Sequence, residues 1–454
     1  MNIIIVGCGK IGRAVVASLV NEDHDITVID NDPDVITEIT NIYDVMGLCG
    51  NGADCETLEE ADVNKTDLLI AATHSDEFNM LSCFLAKKMG AKYTIARIRN
   101  PEYNDKSLSF MRHQLDLSMS INPELLMAQE LYNILKLPSA YKVEYFSRRN
   151  LEMIEMRLKP EDTLCGKKLS KLREKQKIDF LITCVLRQGQ AIIPDGNFEL
   201  CAGDMICLAA APGDMQKLLK GLGMLKKKSR NIMILGGGRT AYYLGKMLLS
   251  SGNDVRIVEK DLERCRELGE HLPKAVMIHG DGSHHELLLE EGLRSLDALV
   301  ALTGMDEENI LISLFASNQN VPQVISKINR NELSGMAEKL GLDCVVSTKT
   351  IVSDIILRYT RALENSQGSN VETLYKIMDG KAEALEFIAR KNSSITGIPL
   401  KELRIQKNTL IAGIIRAGKK TVIPSGDDCI NEGDRVIVLS SQYRLRDLSD
   451  IIQR

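Results

Sequence analysis

The sequence predicts an α/β protein with two Rossmann-like doubly wound parallel-sheet domains. Each is followed by a small α+β domain, so that the whole is a tandem duplication. Three observations support this. Unbroken apolar runs such as 2–6 alternate with segments of helical period, as expected for parallel strands buried on both faces. A glycine-rich turn, Gly7-Cys-Gly-Lys-Ile-Gly12, joins the first such run to the first helix. The pattern then repeats: the stretch from Asn2 to Gly12 recurs from Asn231 to Ala241, at an offset of 229.

Further recurrences lie at an offset of 230. Gly50-Asn-Gly52 matches Gly280-Asp-Gly282, the stretch Leu69 to Glu77 matches Leu299 to Glu307, and Ala96-Arg-Ile98 matches Ser326-Lys-Ile328. The pairing continues through Ile193 to Gly196 against Ile423 to Gly426, and Gly203-Asp204 against Gly433-Asp434. A period this long is a duplicated domain pair and not a solenoid.

Taken in order, strands are expected at 2–6, 26–29, 45–48, 68–72 and 93–98, with helices at 10–20 and 76–89 between them. Leu81, Leu85 and Met89 give the second helix its four-residue spacing. An amphipathic helix at 123–137 closes the domain, and 350–363 repeats it; each suits either dimerisation or packing within the domain. The small domain reads as strands at 143–145, 153–157, 181–186 and 205–208, separated by turn residues. Terminal helices are expected at 215–222 and 444–452. Basic and polar linkers fall at 226–230 and 364–370. The domains are therefore 1–138, 143–225, 230–364 and 371–454.

Composition narrows the function classes. With 57 basic against 62 acidic residues, a net charge of −5 excludes a globally basic nucleic-acid binder. No apolar run approaches the roughly 18 residues of a membrane span. The first residues lack a basic leader, and glycines interrupt their apolar run, so no signal peptide is expected. Trp is absent and aromatics are 4%, which leaves few platforms for stacking bases. The eleven cysteines form no CxxC pair and read as free, largely buried thiols, Cys49, Cys201 and Cys207 among them.

The turn carries the chemistry. Gly7 permits the tight turn, Gly9 lets the backbone approach a pyrophosphate, and Gly12 allows close helix–strand packing. The helix start offers free N–H groups and partial positive charge to phosphates. Asp30 ends the second strand 21 residues after Gly9, where a carboxylate bonds a ribose 2′-hydroxyl and repels a 2′-phosphate. In the second copy Gly236, Gly238 and Ala241 fill the three positions and Glu259 is the acid, which points to two sites. Thr73 and Thr303 lie past the fourth strand, at the edge where ligands of open sheets bind. His74 is placed to contact a nicotinamide or donate a proton, but Gly304 replaces it in the second half. Arg97 and Lys327 end the fifth strands, suited to a ligand or to an intersubunit salt bridge. His284 and His285 beside Asp281 read as surface residues at a helix start, so no metal and no shared catalytic set is expected.

With GCGKIG at 7–12, VID at 28–30, GNGAD at 50–54, AATHSDEFN at 71–79 and ARIRN at 96–100, the chain resembles a known family. It is similar over its whole length to the cytoplasmic NAD-binding regulatory subunits of bacterial Trk-type potassium uptake, within the regulators of potassium conductance. The resemblance implies a protein that is not an enzyme. It implies a homo-oligomer, dimer or tetramer, whose ring gates a membrane-embedded Trk-type potassium transport subunit from the inner face of the cell membrane. The implied ligand is NAD or NADH, with ATP or ADP as competing ligands and no nucleic acid. It adds Cys8, Lys10 and Ile11 to the first site beside Gly7, Gly9, Asp30, Thr73, His74 and Arg97. The second site comprises Gly236, Gly238, Glu259, Thr303 and Lys327. The alternative is an NAD-dependent oxidoreductase using the first domain, with His74 as proton donor.

Overall fold

The structure, a computed structural model, describes residues 1–454 apart from 102, 104, 138, 148, 176, 177, 226, 227, 343, 366–370, 379, 392, 417–419, 442–444, 446 and 454. The linkers expected at 226–230 and 364–370 lie partly outside the described residues.

The first large domain runs β1 (Asn2–Val6), α1 (Lys10–Leu19), β2 (Asp25–Asp30), α2 (Pro33–Ile42), β3 (Met46–Cys49), α3 (Cys55–Glu60), β4 (Leu68–Ala71), α4 (Asp76–Met89), β5 (Tyr93–Arg97), α5 (Asp105–Gln114), β6 (Met119–Ile121) and α6 (Pro123–Lys136). Its sheet is parallel with order β3-β2-β1-β4-β5-β6, and the order reverses between β1 and β4. Val6 pairs with Ile29 on one side and Ala71 on the other, so the loops after β1 and β4 emerge together. That crevice is where open α/β sheets bind ligands. The helix starts are encoded locally. Asp32 caps α2 with Pro33 in its first turn, and Ser75 caps α4 by accepting from Phe78 N–H. The sixth strand escaped sequence reading because its three residues show no period.

The first small domain follows with β7 (Lys142–Phe146), β8 (Leu151–Arg157), α7 (Leu169–Lys175), β9 (Phe180–Arg187), β10 (Gln190–Ile192), β11 (Met205–Ala210) and α8 (Pro212–Gly221). The second large domain repeats the first: β12 (Asn231–Leu235), α9 (Arg239–Ser250), β13 (Asp254–Glu259), α10 (Leu262–His271), β14 (Val276–His279), α11 (His285–Glu290), β15 (Ala298–Ala301), α12 (Asp306–Asn318), β16 (Gln323–Lys327), α13 (Asn331–Lys339), β17 (Cys344–Val346) and α14 (Thr348–Asn365). Its order, β14-β13-β12-β15-β16-β17, is the same. The chain ends with β18 (Val371–Ile377), β19 (Ala382–Ile388), β20 (Thr409–Ile415), β21 (Thr421–Val422) and β22 (Arg435–Ser440). The small sheets are antiparallel and equivalent, β10-β9-β11-β8-β7 and β18-β19-β22-β20-β21.

The chain divides into two compact units, and each draws on both halves. One is 1–132 with 231–360, the large domains; the other is 133–230 with 361–454, the small domains. In the small-domain unit one core is common to both copies. Phe146, Met153, Cys207 and Ala209 pack with Met378, Ala384, Ile437 and Leu439. Buried carboxylates cross reciprocally. Glu386 accepts from Ser147 N–H at 3.1 Å, and Glu155 accepts from Met378 N–H at 3.1 Å. Ser147 (φ 48°) and Met378 (φ 52°) are left-handed turn residues at equivalent hairpins, so each copy's acid stabilises the other's turn.

Two expectations need correction. The helix expected at 444–452 is, among the described residues, a 3₁₀ turn at Leu448–Ile451, capped by Asp447 and followed by an Ile405–Ile452 bridge. All eleven cysteines are free, but Cys49 and Cys201 are exposed while Cys207 is buried. Cys49 ends an edge strand and Cys201 lies in a turn, positions whose exposure an apolar string does not reveal. The apolar stripe of α6 is buried within the chain, at Met127, Ala128, Leu131, Ile134 and Leu135. No helix of the described residues is long and apolar enough to cross a membrane.

Candidate functional site: two paired glycine-rich loops

In each large domain the loop after the first strand opens at a glycine with φ of +87° (Gly7) or +94° (Gly236), backbone that excludes other residues. A Cβ on Gly7 would also meet the Thr73 backbone nitrogen at 2.8 Å. The second glycine behaves otherwise. Gly9 (φ −68°) and Gly238 (φ −65°) have ordinary backbone, and a Cβ on either would meet nothing within 4 Å. The fold does not require glycine there, whereas a phosphate brought against the helix start does. The third position differs from expectation. A Cβ on Gly12 would stand 2.0 Å from the Gly7 carbonyl oxygen, so the close approach is to the turn rather than to the strand. Ala241, fully buried, carries such a methyl, so the second turn is built slightly wider.

Each acid already engages its loop. Asp30 accepts from Cys8 N–H at 2.7 Å and from Asp32 N–H at 3.1 Å. Glu259 accepts from Gly237 N–H at 2.5 Å and from Asp261 N–H at 2.8 Å. Cys8 is fully buried, and burial together with the Asp30 charge pushes its thiol up to about 12, leaving it neutral. Lys10 is exposed at the start of α1 and Ile11 is buried beneath it.

Thr73 and Thr303 each have a partner that sequence reading missed. Thr73 Oγ1 donates to Asn79 Oδ1 at 2.7 Å, and Thr303 Oγ1 to Asn309 Oδ1 at 2.8 Å. The fully buried asparagines reach on to the Arg97 and Lys327 carbonyls, both at 2.9 Å. With its proton so used, each hydroxyl offers a ribose an acceptor rather than offering a phosphate a donor. The repeat contained this signal, since Asn79 and Asn309 stand at the common offset of 230. Asp76 and Asp306 recur likewise and cap the chain after the fifth strand, accepting from Arg99 and Asn100, and from Asn329 and Arg330.

The cations gather between the two domains. Arg97 Nη1 donates to the Thr73 carbonyl at 3.1 Å, while its buried Nε has no hydrogen-bond partner among the described residues. Burial lowers the Arg97 pKa, and Arg99 and Arg239 of the second domain add to this. Burial likewise lowers Lys327, with Lys10 of the first domain adding and Glu124 opposing. Each fifth-strand cation thus feels the basic residue at the other domain's helix start. Asn122 donates to Tyr243 across this junction at 3.1 Å. Arg99 forms ion pairs here, its Nε 3.8 Å from Asp76 and its Nη1 3.9 Å from Glu124. Partly buried cations beside open helix starts suit an anionic nucleotide.

His74 is exposed and its carbonyl accepts from Arg99 at 2.6 Å. In the second half the His285 ring stacks on Phe315 at 3.8 Å, and Asp281 is held by Ser283 and Lys260. Among the described residues no group of three or more His, Cys, Asp or Glu is placed to hold a metal ion.

Paired parallel sheets with glycine-rich loops, alternating with small antiparallel domains, define a duplicated chain of Rossmann-like and small α+β domains. Family comparison agrees. The TrkA-N domain matches residues 3–112 and 232–348, and the TrkA-C domain matches 153–223 and 384–453. The Trk system potassium uptake protein TrkA homolog 1 of Methanosarcina mazei is 34% identical over 97% of both chains. The Trk system potassium uptake protein TrkA of Haemophilus influenzae is 30% identical over 100% of this chain and 99% of its own. The chain belongs to the TrkA family. Among solved structures, the GsuK RCK domain aligns with a TM-score of 0.64 at 17% identity, covering 97% of this chain and 92% of its own, which shows a shared fold. The GsuK channel bound to NAD aligns with the same TM-score and identity, over 97% of this chain and 77% of its own.

Proposed function

We propose that the chain is a nucleotide-binding regulatory subunit of potassium transport. In this reading NAD or NADH binding at Gly7–Ile11, Asp30, Thr73, His74 and Arg97, and at Gly236, Gly238, Glu259, Thr303 and Lys327, shifts the large domains between conformations. A homo-oligomer, dimer or tetramer, on the inner face of the membrane passes that shift to a membrane-embedded Trk-type transport subunit. ATP and ADP compete for the same sites. The observation that carries the reading is the pair Gly9 and Gly238, glycines the fold does not need, each beside an acid set for a ribose. Kinship with the Trk potassium uptake proteins supplies the transport side.

Nucleotide affects the gate only through different affinity for its states. Moving an equilibrium from 1:99 to 99:1 takes about 5.5 kcal/mol. Shared among the sites of an oligomer, that is of order 1 kcal/mol each, one or two altered hydrogen bonds. Arg97 and Lys327 are suited to sense this charge, because a buried cation gains most from an arriving phosphate.

Calorimetric titration of the full chain with NAD, NADH, ADP and ATP tests binding, and potassium uptake by cells lacking the protein tests the role. Absent nucleotide binding, or unchanged uptake, would sink the reading. Reduction of NAD in the presence of small alcohols or hydroxy acids would favour an oxidoreductase instead.

A further inference from the structure

The residue between the first two glycines is held at both ends of its backbone, in both large domains. Cys8 N–H donates to Asp30 at 2.7 Å, and the Cys8 carbonyl accepts from Arg13 Nε at 3.1 Å. Gly237 N–H donates to Glu259 at 2.5 Å, and the Gly237 carbonyl accepts from Arg264 Nε at 2.7 Å. The arginines are not repeat equivalents. Arg13 lies in α1, where the second copy has Tyr242, and Arg264 lies in α10, where the first copy has Val35. Two different helices thus deliver the same donor to the same carbonyl. Each guanidinium is neutralised by its own acid, Glu38 at 2.5 Å and Glu267 at 2.6 Å, so neither is free to receive a 2′-phosphate.

The acids and loop residues differ in opposite senses. A Cβ on Gly237 would stand 2.9 Å from Glu259 Oε2, 3.0 Å from Glu259 Cγ and 2.7 Å from Leu268 Cδ1. The first loop carries such a side chain, the fully buried Cys8, beside an acid one methylene shorter. In both copies the second carboxylate oxygen accepts from the N–H two residues onward, so both acids are aimed alike.

We propose that Arg13 and Arg264 are positioning residues for the nucleotide, and that Cys8–Asp30 and Gly237–Glu259 are matched pairs that set each acid for a ribose with a free 2′-hydroxyl. This rests on the nucleotide-binding reading above. The guanidinium fixes the peptide plane so that its N–H faces the carboxylate. The volume of the loop side chain then decides which acid fits.

The test uses the full chain with Gly238→Asp, which the open backbone there tolerates and which removes the second site from the titration, with NAD and NADP titrated calorimetrically and this chain as the parent. Asp30→Glu lowers NAD affinity about tenfold, Cys8→Gly alone changes it by less than about threefold, and the double variant returns to within about threefold of its parent. Arg13→Gln weakens NAD about fivefold and narrows the preference for NAD over NADP; a merely structural role would leave that ratio unmoved. If Asp30→Glu does not fold, Gly237→Ala with and without Glu259→Asp reads the same cycle in a Gly9→Asp chain. Additive losses in the cycle, or an unchanged nucleotide ratio in Arg13→Gln, overturn the positioning proposal alone. A wild-type chain that binds no NAD overturns the nucleotide reading and this proposal with it.

Discussion

The two pairs of domains are bridged through different described contacts. In the small-domain unit a single apolar core takes residues from both copies, and buried carboxylates are exchanged across it. In the large-domain unit the described residues include one apolar cluster within each copy, from Ile4 to Leu117 and from Met233 to Val321. Among the described contacts between the large domains are the Asn122–Tyr243 and Tyr132–Ser251 hydrogen bonds. A shared core cannot separate without exposing apolar surface, whereas polar contacts exchange for water at little net cost. The small domains are therefore expected to open as one cooperative unit.

The contrast can be broken most forcefully at its core. Phe146→Ala is expected to destabilise the small-domain unit by about 3–5 kcal/mol, since Phe146 is fully buried against both copies. Denaturant unfolding that shows less than about 1 kcal/mol would mean the two copies are not joined there. Glu386→Ala follows at about 3 kcal/mol, because Ser147 and Arg435 lose a buried partner. Asp30→Ala should leave the Cys8 N–H without its acceptor and weaken first-site NAD binding by about 1–3 kcal/mol. Calorimetry with unchanged affinity would remove Asp30 from the ribose. The smallest effect belongs to the junction itself. Tyr243→Phe is expected to cost about 1 kcal/mol or less in unfolding, while altering how occupancy of one site affects the other. A larger stability loss would show the large domains to be as tightly bound as the small ones.

Much of this was legible before any coordinates. The strand-to-helix context of Gly7–Gly12 and the offset of 230 placed both loops, both acids, Thr73 and Thr303 at one sheet edge. Asn79 and Asn309 were within reach of the same offset but overlooked, because a polar residue inside a helix carries no period of its own. Arg13 and Arg264 were beyond reach: they perform one task from unrelated positions, so no repeat or motif joins them.

By itself the sequence determined the duplicated fold, since burial on both faces of a parallel strand, helical period and glycine at positive φ are local demands on residue type. It also determined the charge and size of each acid. Tertiary structure alone decided that Asn122 meets Tyr243, that Arg239 and Lys10 act on cations of the opposite domain, and that the small domains share one core. Those features join residues more than a hundred positions apart, and only the packing of surfaces, which no local pattern encodes, brings them together.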